Sequence, residues 1–332
     1  MKEKRAIKIW ASIVVLLIPL VLSINYFTDP YGIRNIEAAF VNNVTKNNHI
    51  RILNKLKVRS DYYLLGTSRL RRIDPLDIQR HLDKSVHNIN IEGSSFYENL
   101  FLAEEVKAMK KNVIFGFDAL TLNSNRKQIQ RLNELIGIKK NYIYKNLLQY
   151  SSTQMLHDSL SHMAYKFLDK DRDYFFKKED TFKAVKVTPS MLNERGKIYL
   201  DYEIIPNKDI EKLVRILDKG DVVVVYPLYY LYSKYFQEHK NIEVKYFNAI
   251  KYLVNNTSSK VYIFYGVNNI TIDHNNFDKG GWHFKPKVGR AVFECILKMK
   301  CSDDFGTLLT VNNVEMHLNK LSYDIKNITM IK

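Results

Sequence analysis

From Ile9 to Phe27 the chain runs IWASIVVLLIPLVLSINYF without a charge, and after that its apolar residues come only in short clusters. The first run has the length of a bilayer-crossing helix. Lys2, Lys4, Arg5 and Lys8 precede it, which favours a cytoplasmic N-terminus with everything after the helix outside. Pro19 lies within the run, and a membrane helix accommodates such a kink. The alternative is a cleaved secretion signal, for which Val21 and Ser23 supply small residues near the end of the run. No second run of comparable length follows, which argues against a channel or transporter.

The short clusters predict strands. Tyr62 to Leu65, Val86 to Ile91, Asn112 to Phe117, Asp221 to Tyr226 and Lys260 to Tyr265 each read as a buried strand running into a loop. Helical patterns separate them, as in IDPLDIQRHL, where Leu76, Ile78 and Leu82 are packing positions, and in GSSFYENLFLAEEV. Apolar strands alternating with helices predict an α/β domain with a mostly parallel sheet covered on both faces. Its active-site rim would lie along the C-terminal edges of the strands.

Other stretches set the domain limits. Residues 1–28 are a basic stub and anchor, and 29–60 form a membrane-proximal segment that opens on the turn-rich DPYGI and contains a helix. The main domain covers 61–332, with a helical insertion near 126–200. Within it, LLQYSSTQMLHDSLSHMAYKFL suits amphipathic helices and DKDRDYFFKKED is charged. The insertion is either a cover over a cleft or a solvated helical excursion.

Charge narrows the partners only a little. Lys and Arg number 51 against 35 Asp and Glu, a formal charge of +16, which would attract nucleic acid, anionic glycans or anionic head groups alike. The basic residues are spread along the chain, without zinc-finger spacing or an RNA-binding aromatic signature, so no specific nucleic acid is expected. Cys295 and Cys301 are too few for a four-thiolate zinc site, and neither a metal nor a cofactor is expected. In an exported domain the two could form a disulfide or remain separate buried thiols.

The candidate chemistry lies at GTSR. Ser68 follows a strand at a turn, where its hydroxyl can project outward, but nucleophilic attack requires a base and donors for the oxyanion. The segment does not match the G-x-S-x-G elbow. His283, in DKGGWHFKPKVG, has the strongest context for the base. Asp278 is the nearest upstream carboxylate to orient it, with Asp273 or a backbone carbonyl as alternatives. Arg69, Arg71 and Arg72 are either solvent-facing cations or attractors of a carboxylated or phosphorylated polymer. Tyr226, Tyr229 and Tyr230 form either a saccharide platform or a cap on the core.

Taken in order, the anchor followed by DPYG, then GTSR, NINIEGSSFYENL, VIFGFDAL and WHFKPKVG, the chain resembles the SGNH/GDSL esterase superfamily, especially membrane-anchored relatives that modify cell-surface polymers. The resemblance implies a flavodoxin-like three-layer sandwich. It also implies Ser68 as nucleophile, His283 as base and then acid, and the N–H groups of Ser68 and Gly93 as oxyanion donors. The family's donating asparagine falls on Asp118, an acceptor when ionised, which leaves Asn123 as a substitute donor. The family's aspartate, three residues before the histidine, falls on Gly280, so Asp278 would stand in. The function implied is an exported esterase or O-acyltransferase acting on an envelope glycan or related acylated polymer, with membrane acyl-transfer machinery as a partner. The alternative is a catalytically weak anchored scaffold that binds or assembles the polymer.

Overall fold

The computed structural model describes residues 2–34, 49–73, 75–126, 129–167, 187–199, 201–239, 241–278, 280–299, 301–302 and 304–328. The charged DKDRDYFFKKED stretch lies outside them. Two compact units emerge, one of Met1–Arg59 with Gln130–Phe175 and one of Ser60–Ile129 with Phe176–Lys332. The anchor, the membrane-proximal segment and the first half of the insertion thus belong together. Up to residue 167 the helices are α1 (Lys2–Thr28), α2 (His49–Lys55), α3 (Pro75–Leu82), α4 (Phe96–Ala108), α5 (Ile129–Lys140), α6 (Tyr142–Gln149) and α7 (Thr153–Phe167).

In the first unit α1 is continuous through Pro19, and its Lys8–Thr28 stretch is long and apolar enough to cross a membrane. The DPYG turn that follows is buried. Gly32 N–H donates to the Asp29 carbonyl, and the Asp29 carboxylate accepts from the N–H groups of Ile33 and Arg34, both at 2.8 Å. Tyr31, fully buried against Met155, donates its hydroxyl to Asp158 at 2.8 Å, and Asn54 from α2 donates to the Tyr31 carbonyl.

The second unit is α/β. Its sheet contains β1 (Tyr62–Leu65), β2 (Val86–Asn88), β3 (Asn112–Gly116), β4 (Val222–Val225), β5 (Lys260–Ile263) and β6 (Thr307–Leu309), in the order β2-β1-β3-β4-β5-β6. The first five strands are parallel, and β6 is antiparallel to β5. Each of the four valines of β4 is buried, as an inner strand of a parallel sheet requires. β2 is shorter than its apolar run. Even so, Ile89 and Ile91 still donate to the carbonyls of Leu64 and Gly66, so this chain follows β1 out of the sheet. Helix α3 packs against the helix Pro286–Lys298, whereas α4 packs against Asn207–Ile216, which in turn meets Ile242–Asn256. Cys295 and Cys301 form a disulfide.

The chain enters the sheet at β1 and turns outward in opposite directions, to β2 on one side and β3 on the other. The C-terminal ends of β1 and β3, at such a reversal, are the usual place for a ligand in sheets of this kind. Both GTSR and GFDAL leave the sheet there.

Candidate active site

Ser68 opens a short 3-10 helix, Ser68–Arg72, directly after β1. Two asparagines of the NINIEG segment hold this loop: Asn88 donates to the Leu70 carbonyl at 2.6 Å and Asn90 to the Thr67 carbonyl at 3.2 Å. The Ser68 side chain is part-exposed, and its own N–H makes no hydrogen bond among the described residues. An amide in that state is available to an incoming oxyanion.

The histidine comes from a closed hairpin. Phe277 and Phe284, both buried, pair as an antiparallel bridge, and Asp278 N–H donates to the His283 carbonyl at 2.8 Å. At the tip, Gly281 takes φ +65°, and a side chain there would meet Val187 at 2.7 Å, so glycine is required on both counts. Tyr232 donates its hydroxyl to the Gly280 carbonyl at 2.6 Å and pins the tip.

This folding brings the three residues into line. Ser68 Oγ lies 2.9 Å from His283 Nε2, and His283 Nδ1 lies 2.7 Å from Asp278 Oδ2. The other Asp278 oxygen accepts from the N–H groups of Gly280, Trp282 and His283 at 3.1–3.3 Å, which fixes the carboxylate. A carboxylate only accepts, so the imidazole proton sits on Nδ1 and Nε2 accepts from the Ser68 hydroxyl. Asp273 is placed elsewhere: its carboxylate caps the turn His274–Asn276 by accepting from Asn275 N–H.

Arg69 is not a surface cation. It is 2% exposed and forms an ion pair with Asp118, itself 4% exposed. Its guanidinium also donates to the Trp282 carbonyl and lies 4.6 Å from the centre of the Trp282 ring. Burial pulls the Arg69 pKa down, but the adjacent Asp118 carboxylate together with Tyr199 and Tyr246 outweighs this and the net shift is upward. Asp118 further accepts from Thr67 Oγ1 and from Leu120 N–H. The pair therefore ties the Ser68 loop, the loop after β3 and the His283 hairpin to one point. It is a positioning device, which commits Nε and one terminal nitrogen of Arg69 and leaves the other terminal nitrogen buried without a hydrogen-bond partner. The side chains of Arg71 and Arg72 lie outside the described residues.

Removing one partner of a buried ion pair typically costs about 3–5 kcal/mol, because the other is left charged and unpaired. Arg69→Met is therefore expected to lower the urea midpoint of the second unit sharply, and adding Asp118→Leu to restore most of it. Losses that simply add in the double variant would show that the two residues are not coupled.

The remaining candidates divide. Gly93 takes φ +61° in the loop between β2 and α4, just past Ile91, whose N–H holds the Gly66 carbonyl. Asn123 is 3% exposed and committed to the chain near residue 200: its side-chain carbonyl accepts from Asn125 and Glu203 N–H, and its amide donates to the Ile198 carbonyl. Tyr226, Tyr229 and Tyr230 are all buried, and Tyr226 stacks on Phe284, so they cap the core.

Sequence reasoning missed Arg126. One of its terminal guanidinium nitrogens lies 3.5 Å from where a Cβ on Gly93 would stand. It is half-buried, and no carboxylate among the described residues pairs with it. Nothing in SNR marked it out among 51 basic residues. Tyr199 lies within electrostatic reach of both Arg69 and Arg126, its hydroxyl pushed far up by burial.

Set against protein-family models, curated proteins and solved structures, the chain matches none.

Proposed function

We propose that the protein is a membrane-anchored serine esterase or acyltransferase of the SGNH type, acting on acyl esters of an anionic envelope polymer. The observation that carries this is the line of contacts from Ser68 through His283 to Asp278, at the point where the sheet reverses. The strand order 2-1-3-4-5 is that of flavodoxin-like sheets and supports a three-layer sandwich.

As Ser68 Oγ attacks the ester carbonyl, His283 Nε2 takes the hydroxyl proton and Asp278 stabilises the imidazolium. The carbonyl oxygen becomes an oxyanion that receives the N–H groups of Ser68 and Gly93. Collapse breaks the ester C–O bond, His283 returns its proton to the leaving alcohol, and the acyl group stays on Ser68. Water or a sugar hydroxyl, deprotonated by the same histidine, then attacks the acyl-enzyme and frees Ser68. A scaffold without catalysis fits Asp118 and Gly280 as departures from the family pattern, but Asp278 reaches the histidine from five residues upstream, and Asp118 serves the Arg69 pair.

The guanidinium of Arg126 beside Gly93, which no carboxylate among the described residues pairs with, favours a substrate carrying a carboxylate or phosphate near the ester, in keeping with the +16 charge. The flanking charges of α1 orient it with the N-terminus in the cytoplasm and the second unit outside, where the Cys295–Cys301 disulfide is at home.

The full-length chain should turn over acyl esters, and should favour an anionic aryl acetate over a neutral one. Hydrogen bonds to charged groups contribute about 1.5–3 kcal/mol. Arg126→Gln should therefore lower kcat/KM for the anionic ester by about tenfold or more and that for the neutral ester far less. No turnover of either ester above the buffer rate would defeat the enzymatic reading. Equal losses on both esters would defeat only the role of Arg126.

A further inference from the structure

Helices α6 and α7 leave stripes of large apolar side chains uncovered. In α6, Ile143, Tyr144, Leu147 and Leu148 are 77%, 63%, 62% and 43% exposed, while Asn146 is buried. In α7, Leu160, Met163 and Phe167 are 50%, 50% and 90% exposed on one stripe at i, i+3 and i+7, while Asp158 and Ser159 are buried. A helix on a water-facing surface turns its apolar stripe to the core and its polar residues outward. Apart from Met155, which α7 buries, these two leave large apolar side chains outside and bury polar ones, and an isolated exposed leucine would need no such account.

The polar face of α7 and the link that joins it to α6 are spent on the end of α1. Ser159 Oγ donates to Asn25 Oδ1 at 3.0 Å and accepts from Thr28 Oγ1 at 2.7 Å. Asp158 accepts from Tyr31, just beyond α1. The Asn25 amide donates to the carbonyls of Tyr150 and Ser152, in the link between the two helices. Both helices are thus fastened at the last two turns of α1, where its apolar stretch ends. The apolar window of α1 is itself only 6% buried, and α1 packs against α7. Lys139 and Lys140, exposed in the last turn of α5, directly precede α6 in the chain, as basic residues do where a helix meets anionic head groups.

We propose that the exposed apolar faces of α6 and α7 lie in the interfacial layer of the bilayer that α1 crosses, so that the first unit is a membrane-seated platform rather than a bare anchor. This rests on the reading that α1 spans the bilayer, and is independent of the chemistry at Ser68.

Single cysteines introduced into the full chain, labelled with a nitroxide without reduction of the native disulfide and placed in bilayer nanodiscs with anionic lipid, test it. The sites are Leu147→Cys and Phe167→Cys, with Val15→Cys in α1 and Met316→Cys, exposed on the second unit, as references. Oxygen collisions should dominate over those of a water-soluble nickel chelate at 147, 167 and 15, and the reverse should hold at 316. Lipid contact at 15 with chelate dominance at 147 and 167 would overturn the platform and leave the span intact. Chelate dominance at 15 would overturn the span and the platform with it. Low collision with both agents at 147 and 167, or dipolar broadening between labels there, would mean that protein covers these faces and would also overturn the proposal.

Discussion

Ser68→Ala should lower acyl-ester turnover by about 10⁶-fold, the loss seen when a triad nucleophile is removed from an enzyme of this chemistry. The size follows from what is left behind. Without Oγ no acyl-enzyme can form, and His283 loses the proton donor 2.9 Å from its Nε2. The oxyanion donors remain, so a residual rate above background persists, carried by water attacking the bound ester directly. His283→Ala should fall to a similar level, and the double variant Ser68→Ala, His283→Ala should be little slower than either, because the two act as one unit. The Ser68 side chain is part-exposed at the start of a 3-10 helix whose backbone is held by Asn88 and Asn90, so alanine there should leave the urea midpoint nearly unchanged. Kinetics and stability measured on the same preparations check this. Turnover by Ser68→Ala within tenfold of the intact protein would place the nucleophile elsewhere.

Much of the scaffold could be read from the sequence, for a physical reason. Val222–Val225 announced an inner strand because a parallel strand buried on both faces has no polar positions to confuse the pattern. β6 went unread because three residues at the sheet edge carry no periodicity. Amphipathic helices were legible in LLQYSSTQMLHDSLSHMAYKFL, but not which side faces inward: a helical stripe has the same spacing whether it meets a core or lipid. Within the site, Ser68 and His283 stood out from local context. Arg69 did not, since a buried arginine and an exposed one look alike until a partner 49 residues away is brought beside it. Asp278 lay between these cases, visible as a nearby carboxylate but at a spacing that depended on how Gly281 and Tyr232 shape the hairpin.

Asp278→Asn should reduce kcat by about 10⁴-fold while leaving the fold in place, and this separates Asp278 from Asp273. The present carboxylate accepts from His283 Nδ1, which leaves Nε2 as the lone-pair nitrogen facing Ser68. An asparagine amide turned toward the ring would donate to Nδ1 and shift the proton to Nε2. The histidine would then point an N–H at Ser68 and could not accept its proton. The second oxygen of Asp278 accepts three backbone N–H groups, and the asparagine carbonyl can keep those bonds, so the hairpin should survive. Asp278→Ala would lose both functions, and should show a lower urea midpoint as well as lower kcat. Asp273→Asn should change kcat by less than about twofold, since that side chain only caps a turn and surface changes of this kind are usually small. Steady-state rates at pH 8 for the three variants decide the matter. A large loss in Asp273→Asn with Asp278→Asn near the intact rate would reverse the assignment and reopen how the His283 proton is held.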